Sequence, residues 1–158
     1  MKNKEIIVSE AYLEKLCSEA SQILQLEDIN ALGRGDYVSF EEVDFFLGSN
    51  FMNDQLIRLV LDLGEIEQDY KPEIYETIFA MQGMLDGTLD ALFDYDQIRS
   101  CLMFRVKLPI NLSTTPDGLV SVIKSFILQI KEWRSTLLKN KLIGDEEGQE
   151  KNQHYSLA

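Results

Sequence analysis

Residues Ser100–Leu137, SCLMFRVKLPINLSTTPDGLVSVIKSFILQIKEWRSTL, change hydrophobic period within a few positions. Leu102, Phe104, Val106 and Leu108 alternate with Cys101, Met103, Arg105 and Lys107, the pattern of a strand with one apolar face. Pro109 stops that strand, because proline has no N–H to give to a ladder. Thr115 can then cap a helix, Pro116 fits its first turn, and Asp117 complements the positive end of its dipole. Leu119, Val122, Ile123, Phe126, Ile127, Ile130, Trp133 and Leu137 follow as one helical stripe. At ~1.5–3 kcal/mol per fully buried large side chain, that stripe is worth on the order of 10 kcal/mol before entropy. A half-buried strand next to a long amphipathic helix implies a sheet covered by helices.

Working back from this stretch, Thr88–Tyr95 reads as the partner strand, with Asp94-Tyr95-Asp96-Gln97 as the hairpin turn. Pro72 opens a helix carrying Ile74, Ile78, Met81 and Leu85 at helical spacing, ended by Gly83 or Gly87. An acidic connection, Gly64 to Lys71, precedes it. Residues 37–64 read as three strands rich in aromatic and β-branched residues, with Gly48-Ser49-Asn50 and Asn53-Asp54 as turns. Ile57, Leu59, Leu61 and Leu63 alternate with Arg58, Val60 and Asp62 in the last of them. Ala31–Asp36 breaks periodicity and reads as a loop, and residues 9–26 as a first helix with Ser9 as its cap. The order is α-β-β-β-α-β-β-α, an α+β fold with helices packed on a mostly antiparallel twisted sheet. Residues 1–143 make the domain; 144–158, GDEEGQEKNQHYSLA, read as a flexible polar tail.

Composition narrows the function. The 158 residues carry 15 Lys+Arg against 27 Asp+Glu, a net charge of −12, so phosphate backbones and anionic membranes are repelled. No apolar run reaches the ~20 residues of a transmembrane helix, and the N-terminus is not a secretory signal. Cys17 and Cys101 are too few for a disulfide framework and fit a reducing cytoplasm. The only histidine, His154, lies in the tail, so no His–Cys or His–Ser pair and no histidine metal cluster stands inside the fold. Asp94-x-Asp96 lacks the glycine and glutamate of an EF-hand, and Gly33-Arg34-Gly35 lacks the context of a nucleotide fingerprint. The composition argues for binding, with no cofactor and no enzymatic activity.

The ordered set of pieces resembles the type III secretion chaperones of the Tir chaperone (CesT-like) family. The resemblance covers about residues 10–139 and is carried by the glycine-bearing helix end MQGMLDGTLD, the Asp-rich hairpin FDYDQIRSC, the strand ending FRVKLPI and the late tryptophan in IKEWRSTL. It implies a bacterial cytoplasmic homodimer without catalytic activity. Such a protein holds the N-terminal segment of a secreted effector in extended, export-competent form and delivers it to the export apparatus, with the export ATPase as a further partner.

The resemblance puts the subunit interface on the second helix and the strand after it, at Ile78, Phe79, Met81, Leu89, Leu92 and Phe93. Apolar residues on more than one stripe of that helix suggest two buried faces; the alternative is a helix buried wholly in its own domain. Effector binding is expected at Tyr12, Leu16, Phe45, Phe46 and Phe51. Adjacent Phe45 and Phe46 point to opposite faces of a strand, which leaves one for a partner unless both faces are covered. Residues 27–96 hold 17 acids and 3 bases, whereas 97–139 hold 2 acids and 7 bases. That acidic surface would keep a dimer with exposed grooves from self-associating, or it is simply solvated. A regulatory or scaffold protein that uses the same fold to bind a folded partner is the competing function, and an enzyme using scattered carboxylates a remote third.

Deleting residues 144–158 is expected to leave the melting temperature nearly unchanged, since the segment has no apolar periodicity to bury. A scanning-calorimetry loss of more than roughly 5 °C would show that the tail docks.

Overall fold

The computed structural model describes residues 8–49, 56–85 and 90–141. Phe51, Leu89, Asn50, Asn53, Asp54 and the tail lie outside the described residues. Helix α1 spans Glu10–Ile23, α2 Ala31–Arg34, α3 Lys71–Leu85 and α4 Pro116–Ser135. The strands are β1 Val38–Phe40, β2 Val43–Ser49, β3 Leu56–Gly64, β4 Ala91–Asp96 and β5 Cys101–Pro109. They form one five-stranded sheet in the order β1-β2-β3-β5-β4, with every pairing antiparallel. The expected α+β class and its element order are therefore observed, with α2 added.

Several local readings need correction. The loop expected over 31–36 contains α2, a single turn ended by Gly35 in the left-handed conformation (φ 79°), with Arg34 tied to Asp28 at 2.6 Å and Asp36 at 2.9 Å. The β1–β2 turn is Glu41-Glu42, at φ 48° and 67°, while Gly48 and Ser49 continue β2. Two positive φ values in a two-residue loop match the twist of a hairpin, but they strain a side chain with a Cβ, which is why Asn-Gly is the usual choice. In the second hairpin, Asp94, Tyr95 and Asp96 belong to β4. The chain turns over 97–100 because the Asp96 carboxylate accepts the Ile98 and Arg99 N–H groups at 2.9 and 3.1 Å. Helix α1 stops at Ile23, where Gln25 at φ 57° reverses the chain.

One face of the sheet carries the main core. Ile57, Leu59, Leu61 and Leu63 of β3 are fully buried in one cluster with Ile123, Ile127 and Ile130 of α4 and with Leu13, Leu16 and Ala20 of α1. The caps expected at Ser9 and Thr115 both form: each hydroxyl accepts a first-turn N–H, from Tyr12 at 3.2 Å and Gly118 at 3.0 Å. Trp133 packs its ring 5.2 Å from Phe93 and 4.9 Å from Phe104, joining the end of α4 to the β4–β5 hairpin.

Arg134 clamps this end of the molecule. Its guanidinium donates to the carbonyls of Leu63 at 3.1 Å, Asp62 at 2.9 Å and Glu42 at 2.8 Å, so one side chain holds β3 and the strained turn against α4. Arg134→Ala should cost about 3 kcal/mol in urea unfolding, with Arg134→Lys recovering only part, since an ammonium lacks the planar fork. Glu42→Gly, which keeps the carbonyl and relieves the positive φ, should instead gain about 0.5 kcal/mol.

Candidate functional site

A sheet of this kind ends in two edges, and the structure treats them differently. At β4 the side chain of Gln82, on α3, fills the edge: its Nε2 donates to the Ala91 carbonyl at 3.0 Å and its Oε1 accepts the Phe93 N–H at 2.9 Å. Such blocking prevents another chain from adding there. At β1 no helix side chain among the described residues does this. The free edge instead borders a groove of about 480 Å³ between β1 and residues 24–28, with Leu24, Val38 and Phe40 as apolar lining and Glu27, Asp28 and Glu41 around it.

The second feature is the outer face of α3. Phe79 is 77% exposed and Met84 78%, and Leu92 is exposed on the neighbouring β4. These side chains leave large apolar surface in water on a single copy. Of the residues expected at a subunit interface, Phe79 and Leu92 lie outward. Ile78 is buried, Met81 packs against the core, and Phe93 lies against Phe104 and Trp133.

The residues expected to meet an effector are also divided by burial. Leu16 and Phe45 are in the core, Phe45 with no exposed surface, and they present nothing to a partner. Tyr12 is half-buried and its hydroxyl donates to the carbonyls of Leu112 (3.3 Å) and Thr114 (3.0 Å), tying α1 to the loop before α4. Phe46 lies on the opposite sheet face from Phe45, packed against Val60, Cys101 and Met103. This second cluster is roofed by its own polar groups: Arg99 reaches Asp62 at 2.8 Å and Asp44 at 3.4 Å and lies 4.3 Å from the Tyr37 ring, which in turn sits edge-on to Phe46. Phe46 is thus half-sealed under a cation–aromatic lid.

Gln82, Arg99, Glu41 and Met84 carry these features, and sequence reasoning did not single them out. Glu41-Glu42 could have been found, since two residues separate Phe40 from Val43 in an alternating run. Gln82 has no local signal, because its partners are nine and eleven residues away on another element.

No family model matches this sequence, and no curated protein matches it either. The fold does match a solved structure: a chain of the ExsC–ExsE complex superposes with a TM-score of 0.66 over 81% of this chain and 95% of that one, at 13% identity. The architecture, helices packed on one five-stranded antiparallel sheet, is the one this matched chain has. Among the described residues no helix is long and apolar enough to cross a membrane.

Both cysteines are free and buried. Burial pushes the Cys17 thiol up to about 11, and burial together with the nearby Asp62 carboxylate pushes Cys101 to about 11. The native protein should therefore react slowly with a thiol reagent at mildly alkaline pH, while urea-unfolded protein titrates two thiols. Because the unfolded thiols ionise near 9 and the folded ones near 11, the unfolded state loses protons first. Stability should fall as pH rises from about 9 towards 11. Unfolding curves that hold level across that range in the wild type would contradict the buried placement.

Proposed function

We propose that this protein is a non-catalytic type III secretion chaperone of the Tir chaperone (CesT-like) kind, working in a bacterial cytoplasm without a cofactor. As a homodimer it holds the N-terminal segment of a secreted effector in extended form, keeps it soluble, and hands it to the export machinery and its ATPase. The observation that carries this reading is the fold it shares with a chain of the ExsC–ExsE complex, nearly the whole of that chain being matched. Two features support it. The strongly acidic chain disfavours nucleic acid and anionic membranes as partners. The open β1 edge and its groove suit an unfolded segment, whose backbone would gain a ladder and whose side chains would find a pocket.

The dimer reading is supported by Phe79, Met84 and Leu92, which a second copy would take out of water. Sedimentation at micromolar concentration should give twice the 18.2 kDa of one chain, and Phe79→Asp or Met84→Asp should shift it towards monomer. A compact monomer in the wild type would overturn that part.

The function itself is tested by co-expression with the secreted protein encoded beside its gene, followed by limited proteolysis of the complex. Protection of an otherwise unstructured N-terminal segment is the expected result. Capture of an intact folded domain would favour a regulatory or scaffold role instead, and ATP- or metal-dependent binding would contradict the mechanism.

A further inference from the structure

We propose that the sheet face opposite the main core holds a carboxylate-binding site, built from Arg58, Arg105 and Lys107 around a pocket of about 320 Å³. This goes beyond the chaperone reading and does not rest on it.

Strand alternation brings the three bases together. Arg58 lies two residues before Val60, and Arg105 and Lys107 follow Met103 at the same spacing, so all three share the face of the Phe46 cluster. Arg58 stands directly across from Lys107 in the β3–β5 register, and Arg105 across from Val60. Like charges opposed in this way cost a sheet stability, and an anion bound between them would relieve that cost. Farther along the same face the balance is reversed, since the single base Arg99 reaches two carboxylates, Asp44 and Asp62.

The donors around the pocket are incompletely used. Arg105 holds Asp94 through Nη2 at 2.7 Å, but its Nε–H is buried with no acceptor among the described residues. A buried donor left in that state costs free energy until an oxygen meets it. Arg58 is exposed and makes no ion pair among the described residues. Lys107 reaches only the exposed Asp90, at 3.4 Å, and a pair so open to water holds little energy and exchanges readily.

The charge and shape of the lining define the ligand. Three bases, Arg58, Arg105 and Lys107, stand against two acids, Asp90 and Asp94, which leaves one positive charge in excess on a chain of net charge −12. One negative charge balances that excess, whereas a dianion would leave a surplus beside Asp90 and Asp94. The guanidinium fork matches the two oxygens of a planar carboxylate. Leu92 and Asp94 of β4 line the pocket, and the edge of that strand is already filled by Gln82, so side chains and not a backbone ladder hold the ligand. A carboxylate meets all of these conditions, either as a free acid or as the side chain of an acidic residue in another protein.

The test uses ¹⁵N NMR titrations of the full-length protein at low salt, following the Arg105 Nε–H and the amides of Arg58 and Lys107. The probes are acetate, inorganic phosphate, and acetylated, amidated Gly-Glu-Gly and Gly-Gln-Gly. Acetate or the glutamate tripeptide should shift the Arg105 Nε–H in a saturable way, at least about tenfold more tightly than the glutamine tripeptide. The carboxylate that binds more tightly, acetate or the tripeptide, tells a free acid from a protein side chain, and either result supports the site. Arg58→Gln changes an exposed side chain and should weaken binding about tenfold, while Arg58→Lys, which keeps the charge, should stay within about threefold of the wild type. An Arg105 Nε–H unmoved by either carboxylate, phosphate bound more tightly than both, or full affinity in Arg58→Gln would each overturn the proposal. Arg58→Gln should also sediment as the wild type does. A smaller species in that variant would mean that a second copy already supplies the carboxylate, which equally overturns it.

Discussion

β3 and β5 pair along the middle of the sheet, from Leu56↔Pro109 to Gly64↔Leu102, and Ile123, Ile127 and Ile130 of α4 cover their apolar side with 1% exposure or less. Everything else is placed relative to that contact. β2 and β4 are positioned by pairing with strands already buried on one face. α1 packs beside α4, and Trp133 draws in the second hairpin. Arg134 continues the contact in polar form by donating to three carbonyls, of Leu63, Asp62 and Glu42, at the helix end of the sheet.

That clamp has a consequence at a distance. The Glu41-Glu42 turn holds a backbone conformation unfavourable for glutamate, and Arg134 braces it from α4 through the Glu42 carbonyl. β1 is therefore short, fixed in register and projected next to the groove. Its edge stays open while Gln82 closes the opposite one. Blocking one edge limits strand pairing between copies of the chain. The helix-free face of the sheet is occupied by its own ion pairs around Arg99, which leaves the β1 edge, the outer face of α3 and the Arg58 end of that face as the surfaces with unmet demand.

The elements were legible where one face of a strand or helix meets the core. The alternation at Ile57–Leu63 and Leu102–Val106 and the stripe from Leu119 to Trp133 are directly visible in the residue order, and so are the caps at Ser9 and Thr115. α2 escaped because Gly33-Arg34-Gly35 looks like a breaker, although Ala31 and Leu32 are buried. The first hairpin escaped because its turn uses glutamates whose positive φ is held by tertiary bonds and not by local preference. Tyr95 and its neighbours looked like a turn by composition, but the Asp96 carboxylate moves the reversal to the residues after it.

The sequence alone determined which residues could form each element and which side of it is apolar, because hydrophobic period is a property of neighbours along the chain. It also determined the net charge of −12. What it could not determine is which apolar side chains remain uncovered. Phe45 and Phe46, or Ile78 and Phe79, are indistinguishable by type, and one of each pair is buried while the other keeps exposed surface according to what the rest of the chain places against it. The fate of the two sheet edges was likewise decided only in three dimensions, since Gln82 reaches β4 from a separate helix and none of the described residues reaches β1 in the same way. Burial and edge closure are sums over distant contacts, and only the folded chain carries out that sum.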